Sequence, residues 1–258
     1  MRIEELRRRK KALGYTNRMI ADRSGVPLGT VQKIFGGATT SPRYETMAAL
    51  EAVLYGSERE SAGEYTLEDY YAMPEDRRVE LIDGVIYDMT APTSVHQFLA
   101  SMVFTRIMNF QEAHPGDCMP FLAPIDVQLD CDDRTMIQPD LIVLCGKDKN
   151  HIRKIYGAPD FVMEVLSPST RRRDLIIKLN KYMNAGVREY WIVDPEKETV
   201  TVFDFEHDIF PVYYTFGDRI PVSISGGSLI IDFAEIAERF HAYFGDWKET
   251  LRRQEPAE

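Results

Sequence analysis

The sequence lacks the long hydrophobic run that a membrane-spanning helix requires. No stretch approaches the eighteen or more apolar residues needed to cross a bilayer, and the opening residues, MRIEELRRRKK, contain no apolar segment that a signal peptide would use. We therefore expect the protein to stay in the cytoplasm and to have no membrane partner.

The sequence is also poor in cysteine. The three cysteines, Cys118, Cys131 and Cys145, are odd in number and have no CxxC spacing. Neither a disulfide framework nor a zinc knuckle is supported by that pattern. We expect all three to be small buried residues.

Positive charge is scarce in most of the chain. Residues 1–50 hold 10 Lys and Arg against 4 Asp and Glu, whereas residues 51–258 hold 21 against 37, so the segments carry about +6 and −16. A basic segment is typical of proteins that bind a polyanion. The acidic remainder does not attract phosphate backbones through its overall charge.

The charge balance changes at a polar stretch, SERESAGE, that has no apolar periodicity. This stretch predicts a linker at residues 57–64. We therefore predict a small helical domain at 1–56, a second domain at 65–245 that mixes strands with helices, and a polar tail at 246–258.

Residues 16–37, TNRMIADRSGVPLGTVQKIFGG, contain two short helical patterns separated by a turn. Ala21 is small where two helices would cross, and Gly25 falls at the turn, where a permissive backbone is needed. Val31 and Ile34 form the apolar face of the second helix. The pattern predicts a helix-turn-helix.

Residues 1–55 resemble the helix-turn-helix domains of the Cro and lambda-repressor type. In such domains the second helix enters the major groove and its exposed early positions contact base edges. The resemblance implies double-stranded DNA as the partner, a homodimer, and five DNA-contacting candidates: Leu28, Gly29, Thr30, Gln32 and Lys33. The alternative is a helical bundle that binds a protein or forms a dimer, with Arg7–Lys11 as a solvated basic face.

Two apolar strands of the second domain each contain an acidic residue. In IQPDLIVL, Asp140 stands where the apolar strand begins, and Glu164 stands within the strand FVMEVL. An ionised carboxylate in a covered strand costs several kcal/mol unless it is paired, protonated or bound to a metal. On adjacent strands the two would supply the hard oxygen ligands that Mg²⁺ or Mn²⁺ prefers, and such a metal activates water for phosphodiester attack. The alternative is that Glu164 pairs with a basic neighbour such as Lys178 or reaches solvent at a strand end.

The helix after Glu164 is predicted to begin at Ser167–Thr170 and to end near Gly186. Its apolar stripe places Lys178 on the core side; the stripe consists of Leu175, Leu179, Tyr182 and Met183. There Lys178 would stabilise a metal-bound water or the scissile phosphate. The alternative partner is Asp174, in a surface ion pair. Arg171–Arg173 are candidate phosphate contacts, or are simply solvated.

These features resemble the PD-(D/E)XK nuclease superfamily, and residues 65–240 resemble more closely its Uma-two family of restriction-endonuclease-like proteins. The resemblance is carried by VELIDG, QPDL, GAPDFVMEVLSPSTRRRDLIIKLNKY and GVREYWIVDP. It implies an α/β (α+β) restriction-endonuclease-like core, with a mixed sheet flanked by helices, after a small all-α helix-turn-helix domain. It also implies a Mg²⁺ site, in which Mn²⁺ can substitute, built from Asp140 and Glu164.

The sequence departs from the superfamily signature at Leu166, which stands where the lysine after Glu164 is usual. The resemblance places that lysine on the following helix, as Lys178, with Lys181 as the second choice. Three more positions match residues that line the same site: Glu80, Gln138 and His96. A lone histidine such as His96 is also commonly a structural hydrogen-bonder.

The sequence therefore predicts a DNA-binding, Mg²⁺-dependent endonuclease. Asp140 and Glu164 would bind the metal, Lys178 would position water or stabilise the phosphate, and Glu80 would assist. The alternative is a DNA-binding regulator whose catalytically silent nuclease-like domain serves dimerisation or partner binding, which the acidic charge of that domain favours.

Overall fold

The computed structural model describes residues 3–12, 15–39, 42–55, 63–74, 77–168, 170–171, 173–245 and 247. It divides into two compact units, Met1–Glu64 and Tyr65–Glu258. Of the predicted linker 57–64, only residues 63 and 64 are described. The predicted tail 246–258 lies outside the described residues except for Trp247.

The described part of the first unit forms four helices: α1 Ile3–Ala12, α2 Asn17–Ser24, α3 Leu28–Gly36 and α4 Tyr44–Tyr55. Helix α2 begins after Thr16, whose side chain accepts a hydrogen bond from the backbone N–H of Met19. It ends at Gly25, whose φ of +69° suits glycine. The turn therefore lies where the sequence predicts it.

The core of the first unit takes fully buried side chains from all four helices: Leu6, Ile20, Val31, Ile34, Leu50 and Leu54. Ala21 is buried beside them, which allows α2 and α3 to approach closely. The predicted helix-turn-helix is confirmed.

The second unit has four helices and twelve strands among its described residues. The helices are α5 Leu67–Ala72, α6 Ser94–Ala113, α7 Leu179–Ala185 and α8 Phe233–Phe244. The strands are β1 Val79–Ile82, β2 Val85–Asp88, β3 Cys118–Leu122, β4 Val127–Gln128, β5 Leu141–Cys145, β6 Ile155–Tyr156, β7 Phe161–Val165, β8 Glu189–Asp194, β9 Thr199–Asp204, β10 Asp208–Thr215, β11 Arg219–Pro221 and β12 Ile230–Asp232. A π-helical segment, Arg173–Lys178, runs into α7.

Six strands form the central sheet in the order β10-β9-β8-β7-β5-β3. Strands β7 and β8 are parallel, and the other neighbours are antiparallel. Side chains alternate between two cores. Phe161 and Met163 pack in the same core as α6 and α8, while Val162 packs in the same core as Tyr182 of α7. The predicted mixed sheet flanked by helices is confirmed.

A hairpin outside the central sheet brings Glu80 towards the segment that contains Asp140. Asp83 and Gly84 connect β1 to β2 with φ values of +51° and +76°, as a tight hairpin turn requires. The backbone N–H and C=O of Leu81 both bond to Met136 at 2.8 Å. Strand β1 is thereby aligned with the residues that lead into β5.

Helix α6 begins after Thr93, whose hydroxyl oxygen accepts a hydrogen bond from the backbone N–H of His96. This cap fixes His96 in the first turn. No described helix, α6 included, has both the length and the apolar character needed to cross a bilayer.

The cysteines contradict the expectation of three small buried residues. Cys118 and Cys145 are register partners on β3 and β5 and form a disulfide, whereas Cys131 is a free, exposed thiol. The expectation was wrong because the paired cysteines lie 27 positions apart in the sequence, and only the antiparallel register places their side chains opposite each other.

Candidate active site

A cleft of about 1060 Å³ opens in the second unit, where β5 begins and β7 ends. Most of the site residues that the sequence predicts for this domain line it: Glu80, His96, Gln138, Asp140, Glu164 and Lys178. The sheet supplies the acidic residues, and the helical segment after β7 supplies the lysine.

Asp140 is held by one backbone contact and one side-chain contact. Its Oδ2 atom accepts a hydrogen bond from the backbone N–H of Val165 at 2.7 Å and lies 2.9 Å from Nε2 of His96. Because Val165 follows Glu164 on β7, the first contact fixes Asp140 beside the second carboxylate. His96 thereby helps to fix the orientation of Asp140, as hydrogen-bonding neighbours commonly do for a carboxylate that binds a metal.

Glu164 is almost completely buried on β7, with 3% of its surface exposed. Its Oε1 atom accepts hydrogen bonds from Nζ of Lys178 at 2.8 Å and from the hydroxyl of Tyr182 at 2.6 Å. Burial raises the pKa of Glu164 well above its ordinary value; Lys178 opposes that shift, and the nearby carboxylates add to it. The contact with Lys178 is the ion pair that the alternative interpretation of Glu164 expects. It also places Glu164 and Lys178 together in the cleft, as the functional interpretation expects.

Glu80 is fully buried on β1 and faces the same lysine. Its Oε1 atom accepts a hydrogen bond from the backbone N–H of Gln138 at 3.0 Å and lies 2.7 Å from Nζ of Lys178. Its Oε2 atom lies 3.6 Å from Nε of Arg173 and has no hydrogen-bond partner among the described residues.

Gln138 supports the site through its backbone, while a second group of residues fixes its side chain. The side-chain amide donates hydrogen bonds to Asp126 at 2.9 Å and to the hydroxyl of Tyr70 at 3.2 Å. Arg78 donates to the amide oxygen at 3.4 Å. The backbone N–H that holds Glu80 is therefore itself anchored.

Lys178 ends the π-helical segment, whose wide turns direct both Asp174 and Lys178 inward. The two residues are 2% and 3% exposed, and Nζ of Lys178 lies 3.7 Å from Oδ1 of Asp174. The alternative of a surface ion pair between them is wrong because both are buried. The α-helical stripe is also wrong at Leu175, which is exposed because the π-helix changes the phase of the turns.

The charge of Lys178 is stabilised by its surroundings. Burial alone lowers the pKa of this lysine, but three carboxylates outweigh it, and the pKa is raised above the ordinary value; the three are Glu164, Glu80 and Asp174. Lys178 is therefore a buried ammonium group in a mainly acidic cleft.

The two described residues of the arginine run differ in position. Arg173 lines the cleft beside Glu80. Arg171 forms ion pairs with Asp194 at 2.8 Å and Glu196 at 3.0 Å. The third member, residue 172, lies outside the described residues.

Lys181 is not among the described residues that line the cleft. Its Nζ atom contacts Asp83 at 2.7 Å and also forms a short ion pair with Asp130. These contacts stabilise the β1–β2 turn. Lys181 lies three positions beyond Lys178, past the end of the π-helical segment. The structure places Lys178, and not Lys181, at the site.

Sequence reasoning missed Asp174 and Tyr182 as members of the site. Together with Lys178 they recur at every fourth residue, and all three are buried. Such a spacing places side chains on one helical face, so this polar stripe was the signal available.

The oxygen atoms of the cleft suit a divalent cation that keeps much of its water. Among the described residues, no group of three or more His, Cys, Asp or Glu forms a complete metal site. Mg²⁺ is commonly bound by one or two carboxylates and several waters. Two buried carboxylate oxygens of the cleft, Oε2 of Glu80 and Oδ1 of Asp174, have no hydrogen-bond partner in the described part of the chain. The cleft is thus short of partners for its carboxylates, and Asp140 and Glu164, which also line it, offer the one or two carboxylates that such an ion takes.

The five predicted DNA-contacting residues all lie on α3 of the first unit. Gly29, Gln32 and Lys33 are exposed there. Leu28 and Thr30 are half-buried, and Leu28 packs against the core. The polar groups available to a partner at this helix are thus Gln32 and Lys33.

Two family comparisons cover the two units separately. Residues 67–224 match the sequence model of the Uma2 family, described as "Putative restriction endonuclease". Residues 6–59 match a helix-turn-helix family.

Two individual proteins resemble this chain over about two thirds of its length. An uncharacterised protein of Synechocystis is 25% identical over 170 residues, which cover 64% of this chain and 88% of the relative. A crystal structure of "a putative nuclease belonging to DUF820" from Anabaena variabilis superimposes with a TM-score of 0.57 at 19% identity, covering 68% of this chain and 98% of that one. The second likeness shows a shared fold.

Proposed function

This chain belongs to the Uma2 family of "putative restriction endonuclease" proteins, and we propose that it is a Mg²⁺-dependent phosphodiester hydrolase whose N-terminal unit binds double-stranded DNA. The observation that carries the proposal is the convergence of three carboxylates and one ammonium group in a single cleft: Glu80, Asp140, Glu164 and Lys178. Acidic ligands beside a lysine are the groups that metal-assisted hydrolysis of a phosphodiester needs.

Asp140 and Glu164 are the residues that would hold the cation. Bound Mg²⁺ or Mn²⁺ polarises a phosphate oxygen and lowers the pKa of water. Asp140 is fixed for this role by His96 and by the N–H of Val165. Glu164 is fixed by Tyr182.

Lys178 supplies positive charge at the bottom of the cleft. Its ammonium group stabilises the negative charge that develops on the phosphate during attack, and Glu80 orients that group. Arg78 and Arg173 also line the cleft, where guanidinium groups bind phosphate oxygens. The cleft thus contains cations for a phosphodiester although the unit as a whole is acidic.

DNA recognition falls to helix α3 of the first unit. Gln32 can pair with adenine in the major groove, and Lys33 with guanine or a phosphate. Proteins of this helix-turn-helix type act on paired half-sites as dimers, so we propose a homodimer.

A second function, DNA-binding regulation without turnover, is favoured by one observation. Residues 51–258 carry a net charge near −16, which repels a polyanion outside the cleft. In that case the nuclease-like fold would serve dimerisation or partner binding.

Cleavage of plasmid and of labelled duplex by the purified full-length protein separates the two functions. We expect Mg²⁺- or Mn²⁺-dependent cleavage by the wild type that Asp140→Asn and Glu164→Gln abolish. Cleavage that survives both substitutions contradicts the proposed site. Cleavage of no nucleic acid under any metal condition favours the regulator.

A further inference from the structure

Asp174 is a buried carboxylate that uses only part of its hydrogen-bonding capacity. It lines the cleft and is 2% exposed. Its Oδ1 atom has no hydrogen-bond partner among the described residues. A buried carboxylate oxygen without a partner is costly, so a cationic partner is expected in another state of the site.

Lys178 is placed to be that partner. Its Nζ atom has three N–H donors. It lies 2.7 Å from Oε1 of Glu80, 2.8 Å from Oε1 of Glu164 and 3.7 Å from Oδ1 of Asp174. The first two are short, charge-assisted contacts, and the third is beyond hydrogen-bond range. The ammonium group thus occupies one side of a group of three carboxylates.

A divalent cation at Asp140 and Glu164 would not tolerate the ammonium group in this position. Glu164 would share its charge with the metal, and two cations a few ångströms apart in a buried cleft repel each other strongly. Asp174 lies four residues before Lys178 on the same π-helical segment. The separation of 3.7 Å exceeds the usual N–H···O range of about 2.7–3.2 Å only slightly, so a small displacement of Nζ would bring it within hydrogen-bond distance of Asp174.

We propose that Asp174 is a positioning residue that receives the ammonium group of Lys178 when a divalent cation binds at Asp140 and Glu164. The inference rests on the metal site of the proposed function. It means that Lys178 satisfies the carboxylates in the metal-free protein, and that Asp174 allows this lysine to stay charged and in the cleft once the metal is bound.

The test is Mn²⁺ binding to the full-length protein, measured from the paramagnetic resonance signal of the free ion. We expect Asp174→Asn to weaken binding about 10-fold or more, as loss of a supporting carboxylate typically does, and Asp174→Glu to restore most of the affinity. Glu196→Gln is the matched control, because Glu196 also lines the cleft but at its half-exposed rim. Binding by Asp174→Asn that equals the wild type overturns the inference.

The same substitution in a Lys178→Gln variant distinguishes two causes of weaker Mn²⁺ binding. One is the loss of the carboxylate that receives Lys178, and the other is the loss of one negative charge near the metal. With Lys178→Gln there is no ammonium group to receive, so adding Asp174→Asn should cause little further loss of Mn²⁺ affinity. An equal loss in both backgrounds overturns the inference. If Lys178→Gln does not fold, the Mn²⁺-bound crystal structure of the wild type decides: Nζ within hydrogen-bond distance of Oδ1 of Asp174 supports the inference, and Nζ still on Glu164 overturns it.

Failure of this inference is distinguishable from failure of the proposed function. Wild-type protein that binds no Mn²⁺, or binds it independently of Glu164, removes the metal site and the inference with it. Wild-type protein that binds Mn²⁺ through Glu164, with no effect of Asp174→Asn, removes the inference alone.

Discussion

The Nζ atom of Lys178 lies 2.8 Å from Oε1 of Glu164, a contact that joins the central sheet to the helical segment after it. Both residues are almost fully buried, and the same ammonium group also contacts Glu80. The contact therefore supports the fold of the metal-free protein as well as supplying charge to the site.

Removal of this lysine should destabilise the metal-free protein. Lys178→Met leaves buried carboxylates without their partner, which typically lowers the free energy of unfolding by about 3–5 kcal/mol. Urea denaturation measures the change. Added Mn²⁺ should restore part of the loss, since the cation replaces the missing positive charge. Lys147→Met, at an exposed lysine, is the control; equal stability of the two variants would contradict the role of the buried contact.

The sequence predicted which acidic residues line the cleft and that Lys178 lies on the core side of its helix, but it did not predict the π-helical turns of that segment. Asp140 and Glu164 stand out because carboxylates are rare in apolar strands. The spacing of Asp174, Lys178 and Tyr182 at every fourth residue was a signal for their inward positions, whereas the π-helical turns that leave Leu175 exposed had no such signal. The exposure of Leu175 reflects this local departure from α-helical geometry, which the α-helical stripe did not anticipate.

Recognition of DNA should depend on Lys33. Lys33→Ala is expected to weaken binding to duplex and to reduce the salt slope of log K by about 1, because one phosphate contact is lost. Fluorescence anisotropy with labelled duplex at several salt concentrations measures both quantities. Lys147→Ala, in the second unit, is the comparison. Unchanged affinity and slope for Lys33→Ala would reject α3 as the DNA-contacting helix.

The raised pKa of Glu164 makes stability depend on pH. Burial raises that pKa above its ordinary value of 4.5, so the folded state binds the proton more tightly than the unfolded chain does. The stabilisation from this protonation is fully present below pH 4.5 and is lost as pH rises above it. Glu164→Gln has no such proton, so its stability relative to the wild type should increase with pH. Urea titrations at several pH values test this, with Glu112→Gln, at an exposed glutamate, as the control. If the free energy of unfolding changes with pH in the same way for the wild type and Glu164→Gln, the raised pKa of Glu164 is contradicted.

The disulfide predicts a specific count of thiols. Native protein purified without reductant should react with a thiol-directed dye at one site, Cys131, and Cys131→Ser should not react at all. Reduction under denaturing conditions should raise the wild-type count to three. Three reactive thiols in denatured protein that was never reduced would show that Cys118 and Cys145 are not paired.

Local sequence patterns predicted the turns of the fold, but they did not predict which distant residues form contacts. The Asp83-Gly84 turn and the Gly25 turn follow from backbone preferences of a few residues, and the family resemblance implied the mixed sheet. The pairing of Cys118 with Cys145, and of Lys181 with Asp83 and Asp130, depends on how distant segments align. A single sequence contains no short-range signal for such contacts.

The proposed hydrolase activity requires Asp140 and Glu164 to bind a divalent cation together. Anomalous X-ray diffraction from crystals of the protein soaked in Mn²⁺ locates that ion directly. We expect one strong peak in the cleft, about 2.1 Å from an oxygen of each carboxylate, that is absent in Glu164→Gln. Diffraction without a peak at these residues, or a peak bound elsewhere in the chain, would contradict it.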